Sequence, residues 1–293
     1  MCKLKSGLLF KTGVFVPDYD SHDMMLKEKG IADTAENRIA GKFVRFELNP
    51  PNDDPFLPVD MWQFVIDQDE LPEWIESDMK KYESIAREAV KKWAEKHIFI
   101  GVAGLSLAEG SGYYLKDCTN VVLAGNAEVY EMRGSSTVQN MRDSSTVQNV
   151  WDSSTVQNMR GSSTVQNMRG SSTVQNMRGS STVQNMRGSS TVQYMWDSST
   201  VQYMWDSSTV QYMWDSSTVQ NMRGSSTVQY MWDSSTVQYM RDSSTVQIAE
   251  NRSKGVSVET IILSQNATIK DCRTKTLYAV GDWKLSIKEA SDA

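Results

Sequence analysis

Thirteen copies of Ser-Ser-Thr-Val-Gln follow one another at nine-residue intervals between Gly134 and Gln247, and an odd period of that length excludes the simplest folds. On one continuous helix, nine residues at ~100° each place successive copies on opposite sides, so no shared apolar stripe forms. A single long strand fails as well, because an odd step swaps the buried face at every copy. The chain therefore has to turn once per unit and stack each unit on its neighbours. In the consensus Gly/Asp-Ser-Ser-Thr-Val-Gln-Asn/Tyr-Met-Arg/Trp, the Gly/Asp-Ser-Ser segment supplies the turn, since these residues tolerate left-handed dihedrals or bond their own backbone. Ser-Thr-Val-Gln supplies a short strand with Val138 and its equivalents pointing inward and Thr and Gln outward. Met141 and its equivalents are expected to plug the core near the corner.

The predicted fold is mainly β: a parallel β-solenoid of nonapeptide repeats behind a small N-terminal α/β domain. Two units per coil give 18 residues and two sides, whereas three give a 27-residue triangle. Every second unit reads Arg142, Arg160, Arg178, Trp196, Trp214, Trp232, three arginines and then three tryptophans, whereas every third unit gives mixed columns. That sorting favours the 18-residue coil. At ~4.8 Å per coil, the roughly seven coils from Gly125 to Glu250 make a rod about 34 Å long. Calcium-dependent folding of the kind seen in nonapeptide calcium rolls is not expected. The Gly-Gly-x-Gly-x-Asp turn is missing, and six of the thirteen units begin with glycine and carry no carboxylate.

Four segments are expected: an α/β domain over 1–107, a cap over 108–133, the array over 134–247 and a second cap over 248–293. In the first, Leu8 to Val16, Lys42 to Leu48 and Met61 to Asp67 read as strands. A helix capped by Ser77 runs to about Lys96, with Tyr82, Ile85, Ala86, Ala89, Val90 and Trp93 on one face. Leu115 to Val129 reads as a degenerate first coil, which Asn266 to Cys272 echoes at the far end before Leu277 to Ile287. Atypical terminal coils cover exposed strand edges.

The array is nearly neutral, with eight Arg and seven Asp from Arg133 to Asp242, while the remainder carries 22 basic and 29 acidic residues. The formal net charge of −6 argues against general nucleic-acid binding. Cys2, Cys118 and Cys272 form no CxxC pair, as expected of reduced thiols in a cytoplasmic protein. The N-terminal apolar run is too short for a signal peptide, and no segment is apolar enough to span a membrane.

No nucleophile elbow, Walker loop or dinucleotide fingerprint is present, so no catalytic residues and no cofactor are expected. Asp18, Asp20, His22 and Asp23 are the densest group of potential metal ligands, although such a run reads first as a polar loop. Asp67, Asp69 and Glu70 could pair as acid and base, but Leu71-Pro72 points to a turn. His97 is expected to end a helix, where its charge is favourable. No metal site is assigned.

The variable positions of the array carry a stronger signal. All five of its tryptophans are followed by Asp, and four of its five tyrosines sit two residues before Trp. Units thus come as Asn-Met-Arg-Gly or Tyr-Met-Trp-Asp. The candidate binding residues are an aromatic ladder of Tyr194, Trp196, Tyr203, Trp205, Tyr212, Trp214, Tyr230 and Trp232, and a basic block of Arg160, Arg169, Arg178 and Arg187.

The array, with Pro17-Asp18-Tyr19-Asp20-Ser21-His22-Asp23 and Val65-Ile66-Asp67-Gln68-Asp69-Glu70-Leu71-Pro72-Glu73-Trp74, resembles uncharacterised proteins of gut bacteria and their phages. The resemblance implies fold and context, with no activity attached. The expected function is a non-enzymatic scaffold that self-associates or binds a partner protein in the cytoplasm of a bacterial or phage-infected cell. Alternatives are a ladder that binds glycans or single-stranded nucleic acid, and an enzyme within 1–107.

Overall fold

A computed structural model describes residues 4–249, 262–263 and 266–279. The chain forms two compact units, one from the residues up to Val102 together with Gly110–Lys116, the other from Ala103–Glu109 and the chain from Asp117 onward.

The first unit is a four-stranded antiparallel sheet with helices. Its strands β1 (Lys5–Phe10), β2 (Gly13–Phe15), β3 (Val44–Asn49) and β4 (Gln63–Ile66) lie in the order β2-β1-β3-β4. The single strand expected from Leu8 to Val16 is a hairpin, because the polar Lys11-Thr12 pair reverses the chain and lays Leu8 beside Phe15. Helix α1 (His22–Glu28) is capped by Ser21, whose side chain accepts from the Met24 N–H. Its Met25 and Leu26 pack on Leu8 and Phe43. Gly7 is required by its neighbour, since a Cβ there would lie 2.5 Å from the Phe46 ring of the paired strand.

Two short helices, α2 (Ala35–Ile39) and α3 (Glu73–Glu76), precede the long α4 (Met79–His97). Ser77 closes α3 and does not cap α4; Asp78 does, accepting from the Lys81 N–H. A carboxylate one residue later is the better N-cap once Pro72 has started its own turn. The expected face of α4 is inward: Tyr82, Ala86, Val90 and Trp93 are buried, with Ile85 and Ala89 at its margin.

The second unit is a parallel β-solenoid with 18 residues per coil. Strands two units apart pair in register, as in Val174 with Val192 and Met177 with Met195, and Val183 with Val201 and Met186 with Met204, with one shift at the last pair, where Met231 meets Ile248. Odd and even units therefore build two separate sheets. The first twelve units each form a five-residue strand such as Thr191–Met195, with Val and Met (Val150 in one unit) inward and two outward residues between them, and the thirteenth forms the four-residue Thr245–Ile248. The array's valines and methionines, and Val150 where one Met is replaced, are at most 2 % exposed. Burying one such side chain contributes roughly 1.5–3 kcal/mol before chain entropy is subtracted.

Glu128–Arg133 is a full strand of the stack, with Val129 and Met132 in register with Val147 and Val150. At the other end Thr268–Asp271 pairs parallel with Thr245–Ile248 and then antiparallel with Thr276–Ala279. That reversal ends the ladder with a strand that cannot continue the parallel repeat, a device that blunts the edge. The expected cap beyond Ala279, up to Ile287 and the C-terminus, lies outside the described residues, as does Cys2.

Candidate functional site

Each coil carries its variable residues at two corners. At the first, the N–H of Trp196 bonds the carbonyl of Met177 one coil back, and the Ser199 N–H closes the turn on the Trp196 carbonyl at 3.2 Å. Asp197 between them has φ 56°, and the equivalent glycines have φ of 65–68°. Only glycine and short polar residues enter this left-handed region cheaply, which explains the Gly/Asp choice.

The carboxylate has a second role, because it reaches back along the stack. The Gly179 N–H donates to Asp197 at 2.9 Å, Gly188 to Asp206 at 3.0 Å, and the Asp197 N–H to Asp215 at 3.1 Å. Each bond satisfies a turn amide of the preceding coil. The serine nearest the strand is buried: Ser163, Ser172, Ser181 and Ser190 are 0 % exposed, and their hydroxyls have no hydrogen-bond partner among the described residues. Sequence reasoning missed these columns, since Ser-Ser reads as a polar turn.

One corner column, hereafter the tryptophan edge, is Arg142, Arg160, Arg178, Trp196, Trp214, Trp232. The Trp196 and Trp214 rings stack at 4.1 Å and 10°, and Trp214 and Trp232 at 4.9 Å and 5°. Beside them Tyr194, Tyr212 and Tyr230 stack at 5.2 and 5.5 Å. Six rings thus form one continuous rail, half-buried because the faces turned toward one another are covered by the next ring. Toward the N-terminus the tyrosine column continues as asparagines, with the Asn176 amide donating to the Gln157 carbonyl and to Asn158.

The opposite corner, the mixed edge, reads Trp151, Arg169, Arg187, Trp205, Arg223, Arg241. Arginines of both edges stack on tryptophans of their own chain, Arg178 lying 5.7 Å from the Trp196 ring on the tryptophan edge. Arg169 lies 4.9 Å from the Trp151 ring, and Arg187 and Arg223 lie 5.7 and 4.7 Å from the Trp205 ring. The structure therefore splits both sequence-derived groups. Tyr203 and Trp205 are not in the rail, and Arg160 and Arg178 stand on one edge while Arg169 and Arg187 stand on the other. Consecutive units occupy opposite sheets, so neighbours in sequence are separated in space.

In the N-terminal unit the acidic run does not converge. Asp20 accepts from Lys5 at 2.7 Å, Asp18 lies 3.4 Å from His97 Nε2, and Asp23 is exposed in the first turn of α1. The trio of Asp67, Asp69 and Glu70 is also dispersed: Glu70 accepts from Arg38 at 3.1 Å, while Asp67 Oδ2 lies 3.1 Å from His22 Nδ1. His97 ends α4 as expected, its ring stacked on Trp93 and Tyr113.

The fold and its corners define a class, a two-sheeted parallel β-solenoid of nonapeptide units. Comparison with protein-family models, curated proteins and solved structures gives no significant match. No helix among the described residues is long and apolar enough to cross a membrane.

Proposed function

We propose that the protein is a non-enzymatic interaction scaffold that pairs with a second copy of itself along the tryptophan edge. The order of residues on that edge carries the reading: Arg142, Arg160 and Arg178, then Trp196, Trp214 and Trp232, each tryptophan followed by Asp197, Asp215 or Asp233. A two-fold axis between Arg178 and Trp196 sets Arg178 against Trp196 and Asp197 of the partner copy, Arg160 against Trp214 and Asp215, and Arg142 against Trp232 and Asp233. The face is self-complementary, which an isologous dimer demands. Asp143 beside Arg142 is the one residue of opposing sign in the basic half.

The mixed edge fails the same operation, because a two-fold axis between Arg187 and Trp205 brings Arg169 against Arg223. The continuous stack also supports a protein partner over a glycan or a single-stranded nucleic acid. Rings 4.1–5.5 Å apart leave no slot for a base or sugar, and the adjoining carboxylates repel phosphate.

The setting belongs to the same proposal, a bacterial or phage-infected cytoplasm, which a sequence of three cysteines without a CxxC pair suits.

Light scattering coupled to size exclusion tests the pairing. A dimer at low salt that weakens at high salt is expected, as is at least a tenfold loss of affinity in Arg160→Asp and in Asp215→Arg, with recovery in the double variant. A monomer at every salt, or two single variants that dimerise like the parent, overturns it.

A further inference from the structure

Within the N-terminal unit, three side chains from three elements meet at one point. His22 opens α1 and is 5 % exposed, Glu47 lies in β3, and Asp67 directly follows β4. One ligand atom from each, the imidazole nitrogen and two carboxylate oxygens, lies within 4.8 Å of both others. We propose that His22, Glu47 and Asp67 form a binding site for one divalent transition-metal ion of the zinc or manganese type, with remaining positions open to water.

The tautomer of His22 is the first argument. Its Nε2 lies 3.2 Å from the Phe46 carbonyl oxygen, which can only accept, so Nε2 carries the proton. Nδ1 then presents a lone pair to Asp67 Oδ2 at 3.1 Å. A lone pair facing a carboxylate at that distance requires a positive centre between them, either a second proton or a metal ion. A backbone carbonyl on the far ring nitrogen is the usual outer support of a metal-bound histidine.

Charge separates the two occupants, since a separation of 3.1 Å suits an N–H···O bond as well as two ligands of one metal. A proton makes an imidazolium against two carboxylates and leaves the cluster one charge negative, whereas a divalent ion neutralises it. Glu47 has no role in the first arrangement and a ligand's role in the second. Two ligands each about 2.1 Å from a metal stand roughly 3.0–3.4 Å apart, and the His22–Asp67 pair already has that separation. One imidazole with two carboxylates suits zinc, manganese or iron(II) better than calcium, which prefers an all-oxygen shell.

The surroundings hold the ligands in place. The Ser21 cap fixes the start of α1, the Asp67 N–H bonds the Arg45 carbonyl at 2.9 Å, and the buried Asn49 amide donates to Glu47 Oε2 at 3.4 Å. Asp67 is half exposed, which gives an ion a path in. The acidic run read from the sequence shares only His22 with this site. Its true partners lie 25 and 45 residues further on, brought in by β3 and β4.

Untagged full-length protein, stripped with a chelator and titrated with zinc, manganese and cobalt(II), provides the test. One equivalent is expected to bind, with visible cobalt d–d absorption. Glu47→Gln and Asp67→Asn each weaken binding by at least about 100-fold with circular dichroism unchanged, and Asp18→Asn does not weaken it. Calcium is expected not to compete. Absence of saturable binding, or binding that both carboxylate variants retain, overturns the site. His22→Ala is secondary because the buried ring also packs, so the two carboxylate variants decide the question without it.

Discussion

The Gly179 N–H donates to the carboxylate of Asp197, eighteen residues further on, at 2.9 Å, so one side chain makes its own left-handed turn and ties down the turn beneath it. Replacements at Asp197 separate these contributions. Asp197→Gly relieves the φ of 56° and loses the bond, Asp197→Asn keeps a weaker neutral acceptor, and Asp197→Ala loses the bond while keeping the strain. We expect Ala to cost about 2–3 kcal/mol, and Gly and Asn about 1 kcal/mol or less. Hydrogen exchange of the Gly179 amide is the direct readout. Protection unchanged in Asp197→Ala would show that the carboxylate bond contributes nothing.

The core tolerates exchange of shape better than loss of volume. Met195 is wholly buried between Met177 and Met213, its partners in the coils on either side. Met195→Ala should destabilise by about 2–4 kcal/mol in urea titration, and Met195→Leu by less than about 1.5 kcal/mol. The chain contains its own control at Val150, which stands in register with Met132 and Met168 and is 0 % exposed. An alanine variant as stable as the parent would mean that neighbouring methionines collapse into the space.

The buried hydroxyls make a prediction of opposite sign. Ser181 is 0 % exposed and its Oγ has no hydrogen-bond partner among the described residues, so its burial carries an uncompensated polar cost. Ser181→Ala should be neutral or stabilise by up to about 1 kcal/mol, whereas Ser181→Val should cost about 1–3 kcal/mol by overpacking. A clear loss of melting temperature in the alanine variant would reveal a bonded serine column instead.

Much of the solenoid was legible because an odd period forces a turn, and because sorting of Arg142 to Trp232 into two blocks works only every second unit. The spatial grouping was not read as well. Tyr203 and Trp205 follow Tyr194 and Trp196 by half a coil, which puts them on the other sheet although the sequence makes them neighbours. Ser77 and Asp78 both offer an N-cap, and the choice between them depends on the turn already begun at Pro72. Glu47 was invisible as a ligand, since alternation in β3 says only that it points away from Phe46 and Leu48. Its meeting with His22 and Asp67 exists only after the sheet has formed.

A buried lysine sets an alkaline signature in the N-terminal unit. The Lys5 side chain is 0 % exposed, its ammonium 2.7 Å from Asp20 Oδ1 and 4.6 Å from the centre of the Trp93 ring. Burial holds its pKa below the usual lysine value, and the attraction and hydrogen bond of Asp20 oppose that shift without cancelling it. Between the depressed folded value and the unfolded value of 10.5, the unfolded chain binds more protons, so stability from this group rises with pH. Tyr19 works in the other direction at higher pH, since burial and its bond to Glu28 push it up to about 12. Its stabilisation is present below the unfolded value of 10.0 and is lost as pH rises through about 12. Comparison of the parent with Lys5→Met therefore isolates the lysine: the parent should gain relative to the variant as pH rises toward 10.5. Asp20→Asn removes the opposing pull, so the gain should begin at lower pH, and the variant should lose about 2–3 kcal/mol at neutrality, less than a fully buried pair because Asp20 is partly exposed. Parallel stability curves for parent and Lys5→Met across that range would mean that the ammonium is solvated in solution and carries no shift.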